Sequence, residues 1–252
     1  MTAPKASPKA MILAAGLGSR LRPLTNDRPK ALVSVAGRTM LDLTLARLRS
    51  VGVQQVIVNT HHYADLIADY LRAHHNFGME IEISYEEELL DTGGGLKQAA
   101  HFFTGSDQPF LVHNVDIVST IDLAAMLRFH AEHQAMATLA VQRRTTSRYL
   151  LFDNGQLCGR RAGLDGAPEL VRAVADPEAL AFAGIHVLSP AIFRHMPEHG
   201  AFSIIPAYLR LAAEGHSIQA FPADSAYWRD LGKPESIQQA TRDLASGKFI
   251  AE

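Results

Sequence analysis

The stretch MILAAGLGSRLRPLTNDRPK, residues 11–30, begins as a buried strand and runs into two glycines, three basic residues up to Arg28, two prolines and a lysine, with little apolar content. Gly16 and Gly18 follow the strand directly. Lacking a Cβ, they let backbone N–H groups approach an anion and permit a left-handed turn. Arg20 and Lys30 flank a loop stiffened by Pro23 and Pro29. A guanidinium suits bidentate contact with phosphate oxygens, and an ammonium supplies a compact point charge. The stretch therefore reads as a strand whose end receives a phosphate, with Arg22 and Arg28 left as surface residues.

Further apolar runs recur at 55–59, 80–85 and 109–114, beside the first at 10–15, with helical spacing between them. The intervening helices are expected near Met40, near Tyr63, after Thr92 and after Asp122. Continuous rather than alternating apolar strands, joined by crossover helices, predict an α/β fold with a Rossmann-like, mainly parallel sheet covered on both faces. From about residue 136 short strands separated by turns predict a smaller α+β lobe. No long polar linker divides the two, so residues 1–252 are read as one domain, with halves 9–135 and 136–252 and a disordered lead at 1–8. Ligands on such sheets sit beyond the carboxyl ends of the strands, which directs attention to residues 15–30, 59–62, 86–95 and 114–119.

Two familiar phosphate loops do not fit. The Walker pattern G-x4-G-K-[ST] is absent, and a dinucleotide fingerprint needs a third glycine where Leu21 stands. The second strand also ends in Asn59 instead of an acidic residue for a ribose diol.

Composition narrows the partners. Apolar residues make up 47% and charged residues 20% of the chain, as in an ordinary globular protein. With 24 basic and 26 acidic residues the formal charge is −2, so no global field draws the chain to nucleic acid or a membrane surface. No 18-residue apolar run suggests a span and no signal peptide is evident, so the expected location is the cytoplasm. Cys158 is the single cysteine and reads as core filler. The histidine pairs His61–His62, His74–His75 and His130/His133 lack a carboxylate or cysteine framework for zinc, and His113 reads as a core residue.

The segment from Leu13 to Lys30 resembles, without a gap, the signature L-A-A-G-x-G-x-R-L-x-P-x-T-x(3)-P-K of the sugar-1-phosphate nucleotidylyltransferases, and the likeness extends over about residues 9–240. Short bacterial muramate and mannose 1-phosphate nucleotidylyltransferases are the most similar members. The resemblance implies a reaction joining a nucleoside triphosphate, UTP or GTP, to a sugar 1-phosphate with release of pyrophosphate. It implies that Leu13, Ala14 and Gly16 line the base and ribose, that Gly18 and Ser19 offer backbone donors to the phosphates, and that Arg20 and Lys30 bind the triphosphate. D-T-G-G-G at 91–95 resembles the second nucleotide loop, with Thr92 as a possible helix cap and Gly93 and Gly94 against the base; Asn59 joins them. Asp116, ending F-L-V-H-N-V-D, and Asp230, in W-R-D-L-G, are the implied ligands of Mg²⁺.

The chain also departs from the pattern. Val115 precedes Asp116 where the family usually has glycine. The mid-chain lysine that binds the sugar phosphate is missing from L-C-G-R-R-A-G, leaving Arg160 or Arg161 to replace it. Gly184 in F-A-G-I-H matches a sugar-contacting stretch in which Phe182 replaces asparagine. Two other readings share these motifs. One is a cytidylyltransferase acting on choline phosphate, for which an aromatic cage is expected; the other is a non-catalytic sensor of nucleotide sugars. Sheet edges and the second half offer surfaces on which a homodimer could form.

Overall fold

The computed structural model describes residues 7–249. Most of the lead at 1–8, namely residues 1–6, lies outside the described residues. The chain runs β1 (Lys9–Leu13), a small hairpin β2 (Ser34–Val35) and β3 (Arg38–Thr39), α1 (Met40–Ser50), β4 (Gln55–Thr60), α2 (Ala64–Ala73), β5 (Glu80–Tyr85), α3 (Asp91–Gln98), β6 (Phe110–Asn114), β7 (Ile117–Ser119) and α4 (Leu123–Glu132). It continues through β8 (Ala137–Gln142), β9 (Arg148–Asp153), β10 (Gln156–Ala162), β11 (Glu169–Leu170), β12 (Glu178–Leu188), α5 (Ile204–Ala213), β13 (Ile218–Pro222), β14 (Trp228–Asp230) and α6 (Pro234–Ala245).

Ten strands form one sheet in the order β11-β10-β13-β8-β12-β6-β1-β4-β5, with β9 paired to both β10 and β12. The first half is wholly parallel, β1 pairing with β4 and β6, and β4 with β5, while the second half keeps one parallel pair, β13 with β8. Beyond β6 the strands turn: β12 runs antiparallel to β6 and to β8, and β9–β10 is an antiparallel hairpin. The second half thus continues the same sheet instead of standing beside it.

Strand alternation explains the layers. Along β1, Ala10 and Ile12 enter one core with α1, α2, α4 and α6, while Met11 and Leu13 enter the other with α3 and α5. Every residue of β1 after Lys9 is buried. Both faces of a central strand must therefore be apolar, which is why the run lacks a polar alternate. The starts of α1 and α4 are set by short polar side chains: Thr39 Oγ1 accepts from Asp42 N at 3.1 Å and Asp122 Oδ1 from Ala125 N at 2.8 Å.

Register brings the strand ends to one edge. Leu13 stands opposite both Asn59 on β4 and Asn114 on β6. Each chain segment that follows these positions opens onto the same rim.

Candidate active site

The glycine loop is folded back on itself at that rim. Gly18 adopts φ 62°, ψ 27°, and its carbonyl accepts from Leu21 N at 2.8 Å and Thr25 Oγ1 at 3.0 Å. Leu21, fully buried, anchors the turn, so Ser19 and Arg20 stay exposed. A Cβ on Gly18 would lie 3.1 Å from both Lys30 Cβ and Thr25 Cγ2, and one on Gly16 would lie 3.4 Å from Lys30 Nζ. Both glycines therefore make room for the lysine as well as for a ligand.

Lys30 Nζ donates to Asp116 Oδ2 at 2.9 Å, and the two side chains are only 14% and 13% exposed. Asp116 lies two residues past the end of β6. Strand β14 pairs with β7 so that Asp230 stands opposite Ile117, and Leu231 N donates to the Asp116 carbonyl at 2.8 Å. Asp230 Oδ1 accepts from Gly232 N at 2.6 Å. A Cβ on Gly232 would meet Arg20 Nη2 and Asp230 Oδ1, each at 2.8 Å, which sets the guanidinium beside the second carboxylate. Arg20, Lys30, Asp116 and Asp230 thus converge from positions spread over most of the sequence.

Among the described residues Asp116 Oδ1 and Asp230 Oδ2 carry no protein hydrogen bond, so each carboxylate keeps one oxygen for a hard cation. No three His, Cys, Asp or Glu side chains group around a metal position among those residues. The pair fits an ion that completes its shell with water and phosphate oxygens.

The rim beside β4 is organised by two buried polar side chains. Asn59 Oδ1 accepts from Ala14 N at 2.7 Å, and Asn59 Nδ2 donates to Glu86 Oε1 at 2.6 Å. Glu86 is fully buried, and its Oε2 accepts from Leu90 N at 2.9 Å at the start of α3. Glu86 was not legible in the sequence. It stands in the run E-E-E at 86–88, which resembles a solvated acidic turn; its only signal is its position one residue past a strand end.

Gly93 and Gly94 lie within α3 and are buried, and their N–H groups donate to Phe202 O at 2.9 and 3.2 Å. A Cβ on Gly93 would meet the Phe202 ring, and one on Gly95 would come within 2.7 Å of Asn59 Nδ2. Here the glycine run serves close packing. Thr92 does not cap α3, which starts after Leu90; its Oγ1 accepts from Ile204 N at 3.0 Å, at the start of α5, because α3 and α5 pack together on one face.

In β12, Gly184 has φ 75° at a register shift, and a Cβ there would lie 2.8 Å from Asn114 Nδ2. Arg160 is ion-paired with Glu169 across β10 and β11, on the exposed edge, away from the carboxylates. Arg144, overlooked because it follows Arg143 in what reads as a charged turn, is held over the Trp228 ring, its Cζ 3.6 Å from the centroid, with Nη2 donating to Phe182 O at 2.7 Å. Burial pulls its pKa below the usual arginine range, with the charges of Asp230 and Tyr149 acting in the opposite sense. Gln142, Arg143, Arg144 and Asp224 line a cleft of about 300 Å³. His113 and Cys158 are buried; the histidine Nδ1 bonds Asn114 O and the thiol donates to Leu151 O.

A mixed α/β sheet with a glycine loop after β1, Asp116 past β6, and Asp230 at the end of the antiparallel β7–β14 ribbon beside it has the architecture of a nucleotide-binding α/β protein. Residues 9–247 match the family described as nucleotidyl transferase, and the chain belongs to it. It is 34% identical over 242 residues to N-acetylmuramate alpha-1-phosphate uridylyltransferase of Caulobacter vibrioides, covering 94% of this chain and 96% of that one. It is 30% identical to mannose-1-phosphate guanylyltransferase of Mycobacterium tuberculosis, over 94% of this chain but 65% of the longer relative. The fold matches HddC from Yersinia pseudotuberculosis in complex with GMP-PN (TM-score 0.73, 23% identity, 94% and 99% of the two chains). It also matches UDP-glucose pyrophosphorylase complexed with UDP-glucose (TM-score 0.77, 17% identity, 96% and 99%). No helix among the described residues is long and apolar enough to cross a membrane.

Proposed function

We propose that this nucleotidyltransferase joins a nucleoside triphosphate, UTP or GTP, to a sugar 1-phosphate, giving a nucleotide sugar and pyrophosphate. The observation that carries the reading is the convergence of Arg20, Lys30, Asp116 and Asp230 on the rim where β1 and β6 end. The names of the uridylyl- and guanylyltransferase relatives support the choice of bases.

The chemistry asks little of the protein in proton transfer. The attacking sugar-phosphate oxygen is already anionic near neutral pH; it forms the new bond to the α-phosphorus as the bond to the β-phosphate oxygen breaks, and the pyrophosphate leaves with the electron pair. Catalysis then rests on alignment and on fixed positive charge where negative charge develops. Arg20 and Lys30 receive the leaving phosphates. Backbone N–H groups around Gly18 orient the triphosphate, and the Ala14–Asn59–Glu86 chain fixes the base side. Asp116 and Asp230 would hold Mg²⁺, which when bound neutralises phosphate charge.

The test is pyrophosphate release by the purified protein in Mg²⁺ buffer, with UTP and GTP each crossed with hexose, N-acetylhexosamine and muramate 1-phosphates. Release that requires both substrates supports the reading. Nucleotide binding without release across the panel overturns it.

A further inference from the structure

Asp230 stands on a strand of three residues, β14, whose sheet partner is the equally short β7. A two-stranded ribbon of this length is marginal on its own, so the direction in which Asp230 points has to be set from outside the ribbon.

Side chains alternate along residues 227–230. Trp228 and Asp230 face the site: Trp228 Nε1 donates to Ala183 O at 2.8 Å, its ring carries the Arg144 guanidinium, and Asp230 stands beside Arg20. Tyr227 and Arg229 point the other way, to α6, where they meet a single carboxylate. This is Asp243, whose side chain is 2% exposed. Its Oδ2 accepts from Arg229 Nη2 at 2.7 Å and from the Tyr227 hydroxyl at 2.9 Å, and its Oδ1 from Gln239 Nε2 at 2.9 Å and Lys248 Nζ at 3.2 Å. Arg229 Nε also donates to the Tyr227 hydroxyl at 3.0 Å, so the two side chains and the carboxylate close a triangle. Phe249 stacks on the far side of it, 4.7 Å from the Tyr227 ring between centroids.

A carboxylate at this depth is costly unless it is fully paired. The hydrogen bond from Gln239, followed by those from Tyr227, Lys248 and Arg229, holds its pKa below the ordinary carboxylate range against the opposing effect of burial. Asp243 is therefore an anion near neutral pH. Apolar side chains would join α6 to β14 at no such cost if packing alone were needed. What the carboxylate adds is direction, since charge-assisted bonds fix the residues on either side of Trp228 in one geometry.

We propose that Asp243 is a positioning residue for the site: by holding Tyr227 and Arg229 from behind, it sets the orientation of Trp228 and Asp230 on the front of β14. The part given to Asp230 rests on the nucleotidyl-transfer reading; the part given to Trp228 does not.

Trp228 is the only tryptophan in the chain, so tryptophan emission reports on β14 alone. Full-length protein and variants are compared by emission and acrylamide quenching, by Mn²⁺ binding with UTP or GTP present, followed by electron paramagnetic resonance, and by the metal dependence of pyrophosphate release. Asp243→Asn is expected to red-shift the emission, increase quenching and weaken Mn²⁺ binding about tenfold or more, the usual effect of losing a group that orients a metal ligand. Asp243→Glu keeps the charge and retains part of the affinity. Arg229→Gln cuts the same link from the strand side and acts in the same direction, which keeps the test open where Asp243→Asn does not fold. Ile237→Ala opens the core beneath α6 without removing a group bound to Asp243; it lowers the melting temperature and leaves emission and Mn²⁺ affinity as in wild type. Unchanged emission or unchanged Mn²⁺ affinity in the folded Asp243→Asn or Arg229→Gln protein, or the same losses in Ile237→Ala, overturns the inference. If the variants behave as expected while the wild-type protein releases no pyrophosphate from any substrate pair, the positioning role stands and the transfer reading falls.

Discussion

Lys30 Nζ lies 2.9 Å from Asp116 Oδ2, so the glycine loop is tied by charge to the end of the strand beside it. The pair is largely shielded from water, where an ionic contact is strong but leaves a costly unpaired charge when one partner is removed. Lys30→Ala and Asp116→Asn are each expected to lower kcat by about 10²–10³, the usual effect of deleting one electrostatic contact to a transition state. Steady-state kinetics with circular dichroism as a folding check measure this; turnover within a few-fold of wild type would contradict the assigned roles.

Arg20 is exposed and rests beside Asp230 and Gly232. Its loss removes charge without opening a cavity. Arg20→Ala is expected to reduce kcat/KM for the nucleotide at least about a hundredfold while the melting temperature stays within about 2 °C of wild type. A large fall in melting temperature would assign Arg20 a structural part.

Glu86 accepts from both Asn59 and the Leu90 backbone inside a water-excluded space. Glu86→Leu strands both donors, at a cost of about 1–3 kcal/mol for each buried group, and frees Asn59 from its hold on Ala14. The expectation is lower stability in urea together with a raised KM for the nucleotide and an unchanged KM for the sugar phosphate. Gly95→Ala should reproduce the effect, since its Cβ would come within 2.7 Å of Asn59 Nδ2. A normal nucleotide KM in both variants would contradict the positioning role.

Three buried histidines give the fold an acid limit. Desolvation holds His113 and His130 at about 4 and His186 at about 3, all below the ordinary 6.5. Each is neutral in the folded state while the unfolded chain takes up the proton. Their contribution is therefore complete above about pH 6.5 and is lost as pH falls toward 4, with a slope of about 1 kcal/mol per pH unit for each. Urea melts between pH 7 and 5 should show this slope, and His130→Gln, which keeps a hydrogen-bonding side chain beside Thr138 and Ser189, should flatten it by about a third. An unchanged slope in that variant would place the acid sensitivity elsewhere.

The first half of the fold was legible because its physics is local. Parallel strands buried on both faces must be continuously apolar, and the expected run at 55–59 matches Gln55–Thr60, while the one at 80–85 matches Glu80–Tyr85, an edge strand in which glutamate alternates with isoleucine. The glycine loop was equally open to reading, since glycine and cations beyond a strand have few other uses. What stayed hidden depends on contacts between distant segments. Thr92 caps a helix that starts 112 positions later, Glu86 is buried by neighbours its acidic surroundings do not announce, and Arg144 owes its place to Trp228, 84 positions away along the chain. The second half continues the main sheet through β12 pairing with β6, and short antiparallel strands carry no mark of which neighbour they join.

The most direct test follows the phosphorus atoms. The protein is incubated in Mg²⁺ buffer with a sugar 1-phosphate and a nucleoside triphosphate labelled at either the α- or the γ-phosphate, and the products are separated. Attack at the α-phosphorus sends the α label into a nucleotide sugar and the γ label into pyrophosphate, and both transfers should collapse in Lys30→Ala and Asp116→Asn. A γ label appearing on the sugar or as orthophosphate, or α transfer that persists in both variants, would contradict the account.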